Sequence, residues 1–229
     1  MRWLVAVLVL LGLLGPARTQ GIDYPAVRPG PSLAFPRDHG AHPAFRTEWW
    51  YVTGWLRGED GRDIGFQVTF FRTRPAIDPA NPSRFAPSQI LFAHAAVSDP
   101  AVGRLLHAER AARAGFGIAE AREGDAAVAL KDWSFEHRGG DRFATRVAAA
   151  DFAFALDLAP TQPVFLQGEN GYSRKGEALE DGSYYYSLPH LRVSGELTRE
   201  GRTQTVSGEA WLDREWSSNF LSEGAVGWD

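Results

Sequence analysis

The alternation of apolar and polar residues along the chain predicts β-strands joined by turns. From Thr47 to Arg57, aromatic and β-branched side chains occupy both faces of an extended segment, and such residues favour a pleated sheet. Gly58-Glu59-Asp60-Gly61 then supplies a turn. The next run places apolar residues at every second position from Ile64 to Phe70, so the two segments together predict a β-hairpin.

The same pattern continues along the rest of the chain. Further strands are predicted at Gln89 to Ser98, Ala126 to His137, Phe143 to Ala150, Phe152 to Leu158, Ser183 to Leu197 and Thr203 to Asp213. The segment Leu105 to Ala114 is the one with a helical pattern. Two segments rich in proline or glycine, Arg72 to Pro87 and Gln167 to Asp181, are predicted to be long loops.

This order of elements predicts an all-β fold. Strands that follow one another without intervening helices pair antiparallel, either in a sandwich or in a closed barrel. The barrel is the better prediction, because closure removes the sheet edges that many aromatic strands would otherwise expose. A barrel of about eight strands also leaves room inside for one small ligand.

The N-terminus has the pattern of a secretory signal peptide. Met1 and Arg2 give a positive start, the run Trp3 to Leu14 is apolar, and Gly15-Pro16-Ala17 supplies the small residues that precede a cleavage point. This run is shorter than the roughly 20 residues of a membrane-spanning helix, so we expect no integral membrane span in the mature protein. We expect a periplasmic or secreted location, with an uncleaved anchor as the alternative.

Composition excludes several kinds of partner. The 229 residues include no cysteine, so no disulfide can form, and stability must come from the apolar core that 44% hydrophobic residues can supply. The formal net charge is -4 and lysine and arginine do not cluster, so nucleic acid is not an expected partner. The sequence has no phosphate-binding glycine loop, and we expect no cofactor.

One strand near the end of the chain combines aromatic and acidic residues. In an extended backbone Trp211, Asp213 and Glu215 share one face, while Arg214 points to the other. Neighbouring carboxylates raise the pKa of one of them and an aromatic wall raises it further, so the motif could supply a proton donor at neutral pH. The alternative is a strand end whose carboxylates pair with arginines of neighbouring strands.

Histidines give further candidates. His39 and His42 lie three residues apart in a glycine-containing loop, but the sequence places no third ligand near them, so we expect hydrogen-bonded loop residues and no metal site. His94 lies on the face shared by Ile90 and Phe92, and it is predicted to point inward if that face is core.

The segment Glu48-Trp49-Trp50-Tyr51 is aromatic on both sides of its strand, because adjacent strand residues face opposite ways. One of these sides either lines a ligand cavity or packs into the core. The sequence leaves both alternatives open.

Several motifs resemble those of one secreted family. They are Phe35-Pro36-Arg37-Asp38-His39-Gly40-Ala41-His42-Pro43, Arg46-Thr47-Glu48-Trp49-Trp50-Tyr51-Val52-Thr53-Gly54, Gly171-Tyr172-Ser173-Arg174-Lys175-Gly176, Tyr184-Tyr185-Tyr186 and Trp211-Leu212-Asp213-Arg214-Glu215-Trp216. Over nearly all of its mature part, the chain resembles the family that includes carotenoid 1,2-hydratases and AttH-like proteins. The resemblance implies a pair of lipocalin-like barrels and, for some members, the addition of water to an isolated carbon–carbon double bond of an apolar polyene.

The resemblance also implies roles for individual residues. Asp213 matches the acid of the hydratase branch, although tryptophan stands at position 211 and glutamate at 215 where that branch has tyrosine and asparagine. We therefore expect Asp213 to be the catalytic acid with Glu215 beside it. Trp211 and Tyr186 would offer aromatic faces to a carbocation. The other candidate substrate-binding residues are Tyr184, Trp50, Glu48, His94, His39 and His42.

The predicted organisation begins with a signal peptide over residues 1–17 and a linker over 18–34. A lipocalin-like β-barrel of the calycin type follows over 35–207, and a motif strand over 208–229 leads toward a second barrel that is absent from this chain. Two functions are predicted. One is a hydratase- or hydrolase-like enzyme that acts on an apolar lipid or polyene by acid catalysis. The other is a non-catalytic binding or carrier protein for an apolar ligand.

Cleavage after Ala17 predicts that the mature protein begins near Arg18 and is recovered outside the cytoplasm without detergent. Mass spectrometry of the N-terminal peptide of the exported protein measures this directly. Finding the segment Trp3 to Leu14 in the exported protein, or recovering the protein with detergent alone, would contradict the prediction.

Overall fold

The computed structural model describes residues 22–78 and 80–219. The strands within them are β1 Thr47–Arg57, β2 Asp63–Thr73, β3 Ile90–Ser98, β4 Leu105–Arg113, β5 Ala119–Ala121, β6 Ala127–Leu130, β7 Trp133–Arg138, β8 Arg142–Ala148, β9 Phe152–Pro160, β10 Phe165–Leu166, β11 Tyr172–Arg174, β12 Gly182–Arg199 and β13 Arg202–Asn219. A short 3-10 helix, Arg37–His39, precedes β1. In these two ranges no helix is long and apolar enough to cross a membrane. The predicted signal peptide lies outside the described residues.

The strands form one antiparallel sheet in the order β4-β3-β2-β1-β13-β12-β9-β8-β7-β6-β5, and β10 and β11 pair with β12. The ends of this sheet approach each other, because Gly115, just after β4, bridges to Ala119 at the start of β5. Inside, Phe66 on β2 contacts Phe154 on β9 with ring centroids 6.0 Å apart. The sheet therefore curls into a nearly closed barrel, and the predicted all-β antiparallel barrel is confirmed.

The core lies inside the barrel, because side chains on each strand alternate between its two faces. On β1, Trp50, Val52 and Leu56 are buried and point inward, whereas Trp55 on the other face is 38% exposed. Inward residues of the other strands join them in one apolar core. A continuous core of this kind explains how the chain can fold without disulfides.

The predicted helix at Leu105 to Ala114 is wrong, since this segment forms β4. Leucine, alanine and arginine favour helices, but intrinsic propensity is a weak preference that tertiary contacts override. Here the segment pairs along its length with β3, and Leu106 packs into the core. The single strand predicted from Ala126 to His137 is two strands, β6 and β7, between which Lys131 adopts a φ of 58°.

His94 faces outward, because the face that it shares with Ile90 and Phe92 is not the core face, which was the condition for its predicted inward position. Its side chain is 52% exposed, whereas Ala93 and Ala95 on the opposite face of β3 are buried. The larger apolar residue Phe92 shares the outer face with His94. The face with the smaller residues is the core face here, because small residues fill the barrel interior next to large residues from other strands.

The two predicted loops differ in content. Within the first loop, residues 76–78 and 80–86 belong with residues 22–23 to a separate compact unit. Two turns form there: the N–H of Asn81 donates to the carbonyl of Asp78 at 2.9 Å, and the N–H of Ala86 donates to that of Ser83 at 3.0 Å. The second loop, Gln167 to Asp181, contains the short strand β11. This second loop places Lys175 against the barrel, where it contacts Glu215.

A buried charge cluster fixes the segment before β1 to the barrel. The carboxylate of Glu48 on β1 is fully buried, and it accepts hydrogen bonds from Arg72 Nε on β2 at 2.5 Å and from Arg214 on β13. Both arginines also donate to the preceding loop, Arg214 to the carbonyl of Gly40 at 2.6 Å and Arg72 to that of His42 at 3.0 Å. One carboxylate thus connects three adjacent strands to this loop.

Charge balance keeps Glu48 ionised. Burial by itself raises the pKa of a carboxyl group, but Arg214, His42 and Arg72 outweigh burial and hold the pKa of Glu48 well below its usual 4.5. The guanidinium carbon of Arg214 also lies 3.9 Å from the ring centroid of Trp50, so an aromatic face replaces part of the lost hydration. Loss of Glu48 would leave two buried guanidinium groups without their carboxylate partner.

Glu48→Gln should lower the free energy of unfolding by about 3 kcal/mol or more, because it leaves two buried arginines without a counter-ion. Urea denaturation of the full chain measures this. Glu109→Gln, at a side chain that is 79% exposed, is the matched control and should change stability by less than about 0.5 kcal/mol.

The pH dependence of this effect has a definite sign. The folded-state pKa of Glu48 is depressed, so its contribution is present above 4.5 and is lost as the pH falls. The stability difference between wild type and Glu48→Gln should therefore shrink in acid. A variant as stable as the wild type at neutral pH would contradict the stabilising role of the cluster.

Candidate functional site

The acidic motif lies on β13 in the middle of the sheet, between β1 and β12. Alternation along β13 turns Arg214 into the interior and leaves Trp211, Asp213 and Glu215 on the outer face. Side chains from β1, β12 and the loop before β12 surround them. We call this patch the acid face; its residues are Trp49, Tyr51, Lys175, Ser183, Tyr185, Ser187, Trp211, Asp213 and Glu215.

Asp213 is a half-buried carboxylate on which several donors converge. Trp211 Nε1 donates to its Oδ1 at 2.6 Å, and Ser187 Oγ donates to the same oxygen at 2.5 Å. Tyr185 also lies against it, and burial together with the charge of Asp213 raises the pKa of the Tyr185 phenol. Donors that converge on a carboxylate stabilise negative charge. This arrangement suits Asp213 as a base or as a fixed anion.

Glu215 is the more buried of the two carboxyl groups, with 5% of the residue exposed. Burial raises its pKa above 4.5 and the negative charge of Asp213 adds to this rise, while Lys175 at 3.0 Å and Ser183 offset part of it. A carboxyl group whose pKa is raised holds its proton to higher pH, which a general acid requires. Glu215 therefore has the property that the sequence analysis assigned to Asp213.

Six residues of the acid face were not among the predicted site residues: Trp49, Tyr51, Lys175, Ser183, Tyr185 and Ser187. Alternation could have found Tyr185, because its neighbours Tyr184 and Tyr186 face the other way on β12. Lys175 comes from a loop without periodicity, so the sequence contains no pattern that would place it beside Glu215. Its ammonium group also lies 5.2 Å from the ring centroid of Tyr185.

Tyr186 and His39 lie on the inner side of the barrel, apart from the acid face. The Tyr186 hydroxyl is 2.6 Å from His39 Nδ1, and both side chains are buried. Burial and the neighbouring His137 lower the pKa of His39 to about 4, so the neutral ring can accept the hydrogen bond of the phenol. The sequence predicted that Trp211 and Tyr186 both face a carbocation formed beside Asp213. This prediction is wrong for Tyr186, because Tyr186 and Asp213 occupy opposite faces of the sheet.

The other predicted binding residues pack around the buried charge cluster. Trp50 Nε1 donates to the carbonyl of His39 at 2.9 Å. His42 stacks on Trp216, with ring centroids 3.9 Å apart and planes 6° apart, and Tyr184 contacts the same tryptophan at 5.7 Å. These side chains are engaged with one another, and together with Glu48 they hold the loop before β1 in place.

A surface cavity of about 240 Å³ opens beside this loop, between Asp38, His42 and Phe45 on one side and Glu123 and Gly124 on the other. Two of its titratable residues are paired with each other, since His42 Nε2 lies 3.2 Å from Asp38 Oδ1. Across residues 22–78 and 80–219, no group of three histidine, cysteine or acidic side chains could hold a metal ion.

Comparisons with known proteins agree with this architecture. A model of the AttH-like family matches residues 26–229. An AttH-like protein from Nitrosomonas europaea has a similar structure, with 51% identity and a TM-score of 0.80 over 90% of this chain and 62% of that one. This chain therefore spans less than two thirds of the length of that relative. None of the curated proteins matches the chain.

A second similar structure is kievitone hydratase from Nectria haematococca. It has 12% identity and a TM-score of 0.58, over 85% of this chain and 57% of that one. At this identity the likeness shows the fold alone. Together with the strand order, the matches show a lipocalin-like antiparallel barrel.

Charges around Glu215 predict how its titration responds to substitution. Lys175→Met should raise the pKa of Glu215 further, because the ammonium group favours the ionised carboxylate, and Asp213→Asn should lower it. NMR titration of the Glu215 carboxyl carbon in the labelled full chain measures both shifts. Lys131→Met, at an exposed turn, is the control and should leave this pKa unchanged. An ordinary glutamate titration in the wild type would count against the predicted environment.

Proposed function

We propose that this chain, which belongs to the AttH-like family, adds water to a carbon–carbon double bond of an apolar substrate at the acid face. One observation carries the proposal, namely two carboxyl groups in unlike environments on one face of β13. Glu215 is buried with a raised pKa, while Asp213 is held by converging donors. Such a pair can divide the roles of acid and base between its members.

The reaction follows from these positions. Protonated Glu215 donates its proton to one carbon of the double bond, which leaves positive charge on the other carbon. Faces of Trp49 and Trp211 stabilise this cation, a contact worth roughly 2 kcal/mol or more when desolvated. A water molecule adds to the cation, and the Asp213 carboxylate accepts the proton that the water loses. Exchange with solvent then restores the proton on Glu215 and removes it from Asp213.

This assignment differs from the roles predicted from the sequence. There Asp213 was the acid, on the basis of strand spacing and of resemblance, and Glu215 lay beside it. The burial of Glu215 supports it as the acid instead, because the less hydrated carboxyl group retains its proton to higher pH. The apolar N-terminal run supports a site of action outside the cytoplasm, and we include export in the proposal.

The test uses the full chain with squalene, an acyclic hydrocarbon with isolated double bonds, in water enriched in heavy oxygen. Mass spectrometry should detect an alcohol that carries the label. Glu215→Gln and Asp213→Asn should each lower turnover at least about 10²-fold, the low end for loss of a positioned acid or base. The control Glu109→Gln should have wild-type turnover, because Glu109 is an exposed residue of β4, which three strands separate from β13.

The pH profile separates the two roles. Wild-type turnover should fall as the pH rises through the pKa of Glu215. The residual turnover of Asp213→Asn should show the same fall with its midpoint at a lower pH, because loss of the neighbouring negative charge lowers the pKa of Glu215. Retention of squalene by the wild type and both variants without any labelled product would contradict the reaction. That outcome would support the carrier function instead.

A further inference from the structure

A chain of side-chain hydrogen bonds leads from Gln167 through Ser187 to Asp213. Gln167 Nε2 lies 2.8 Å from Ser187 Oγ, and Ser187 Oγ lies 2.5 Å from Asp213 Oδ1. Ser187 is fully buried, because β10 pairs with β12 at this position, and Gln167 comes directly after β10. We call Gln167, Ser187 and Asp213 the hydrogen-bond chain. It connects the start of the loop before β12 to the acid face.

Chemistry fixes the direction of each proton in the hydrogen-bond chain. An ionised carboxylate can only accept, so the contact of Ser187 Oγ with Asp213 Oδ1 requires the hydroxyl proton between these two oxygens. Ser187 Oγ then accepts from Gln167, which therefore presents its amide NH2 and not its carbonyl oxygen. A hydroxyl group by itself rotates toward any acceptor. The amide donor of Gln167 thus holds the Ser187 proton on Asp213.

The loop from Gln167 to Asp181 is held by its main chain. The backbone N–H of Gln167 donates to the carbonyl of Tyr185 at 3.1 Å, and the N–H of Gly171 donates to the carbonyl of Gln167 at 2.9 Å. Farther along the loop, the N–H of Lys175 donates to the carbonyl of Asp181 at 2.7 Å. Because these bonds join backbone atoms, they are retained when the side chain at position 167 is changed. The effect of the Gln167 amide can therefore be measured separately from the position of the loop.

We propose that Gln167 is a positioning residue for Asp213: through Ser187, it fixes which oxygen of the carboxylate faces the protein and which faces the reacting water. Ser187 and Trp211 both donate to Asp213 Oδ1. A carboxylate oxygen has two lone pairs, so these donors occupy Oδ1 and water has to approach Oδ2. Asp213 Oδ2 is then the atom that accepts the proton of the water. This last role rests on the proposed function, whereas the orientation of the carboxylate rests on the hydrogen bonds alone.

The orientation is tested in the full chain by the NMR chemical shift of the Asp213 carboxyl carbon at neutral pH, which responds to hydrogen bonds on the carboxylate. Gln167→Leu removes the amide donor and should move this shift. In a Ser187→Ala background the same substitution should cause no further change, because the amide acts through the hydroxyl. Gln204→Leu, at a half-buried glutamine near the start of β13, is the control and should leave the shift unchanged.

Turnover of squalene gives a second reading. Gln167→Leu should lower kcat about ten-fold, the factor expected when one hydrogen bond to a charged group is weakened. KM should stay the same, because the amide acts on the base and not on the hydrocarbon. Urea denaturation checks that the variant folds. If it does not, Gln167→Glu takes its place, since it keeps the side-chain length and presents only acceptors to Ser187, and the same changes in shift and kcat are expected.

Two results would overturn the inference: a carboxyl shift that the substitution at Gln167 leaves unchanged, or an effect that persists in the Ser187→Ala background, since the glutamine would then act by another route. A rise in KM at unchanged kcat would also overturn it, because the side chain would then bind substrate. The proposed reaction can fail separately. A shift that depends on Gln167 through Ser187, without any hydrated product, supports the orientation of Asp213 and contradicts the reaction, while hydration with an unchanged shift does the reverse.

Discussion

A carboxylate in the interior of a barrel is stable if cations surround it, and the ion pairs of Glu48 with Arg72 and Arg214 meet this condition. The requirement fixes the direction of one residue on each of three adjacent strands. Because strand residues alternate, the neighbours Trp49, Phe71 and Glu215 must then point outward. The acid face thus depends on a charge cluster on the opposite side of the sheet.

Local alternation was sufficient to predict most strands and the barrel, since a period of two and turn residues are properties of short segments. It failed where tertiary contacts decide the outcome. The segment Leu105 to Ala114 has helix-forming residues, and its pairing with β3 makes it a strand. Alternation put His94 on one face with Phe92 but left open which face is core. Ala93 and Ala95 on the other face are buried, because a barrel interior accepts small residues where opposite side chains are large.

In the candidate site, too, some features follow from local alternation and others depend on tertiary contacts. That Trp211, Asp213 and Glu215 share a face follows from spacing alone, without any structure. Which carboxyl group holds a proton depends on burial and on Lys175, which a loop brings from elsewhere in the chain. The position of Trp49 beside Glu215 depends on the register between β1 and β13, a property of the assembled sheet that no single segment encodes. The sequence therefore placed the two carboxyl groups on one face of one strand, but it did not predict that their environments differ.

Interior and surface roles are interleaved residue by residue on β13, where Arg214 lies between Asp213 and Glu215. A point substitution at an outward position leaves the interior composition untouched, so ligand preference can diverge through single changes while the barrel persists. A one-residue insertion or deletion within the strand would instead move every following side chain to the opposite face and exchange the two roles at once. Evolutionary change in these strands is accordingly expected by replacement at constant length, with length variation confined to the loops.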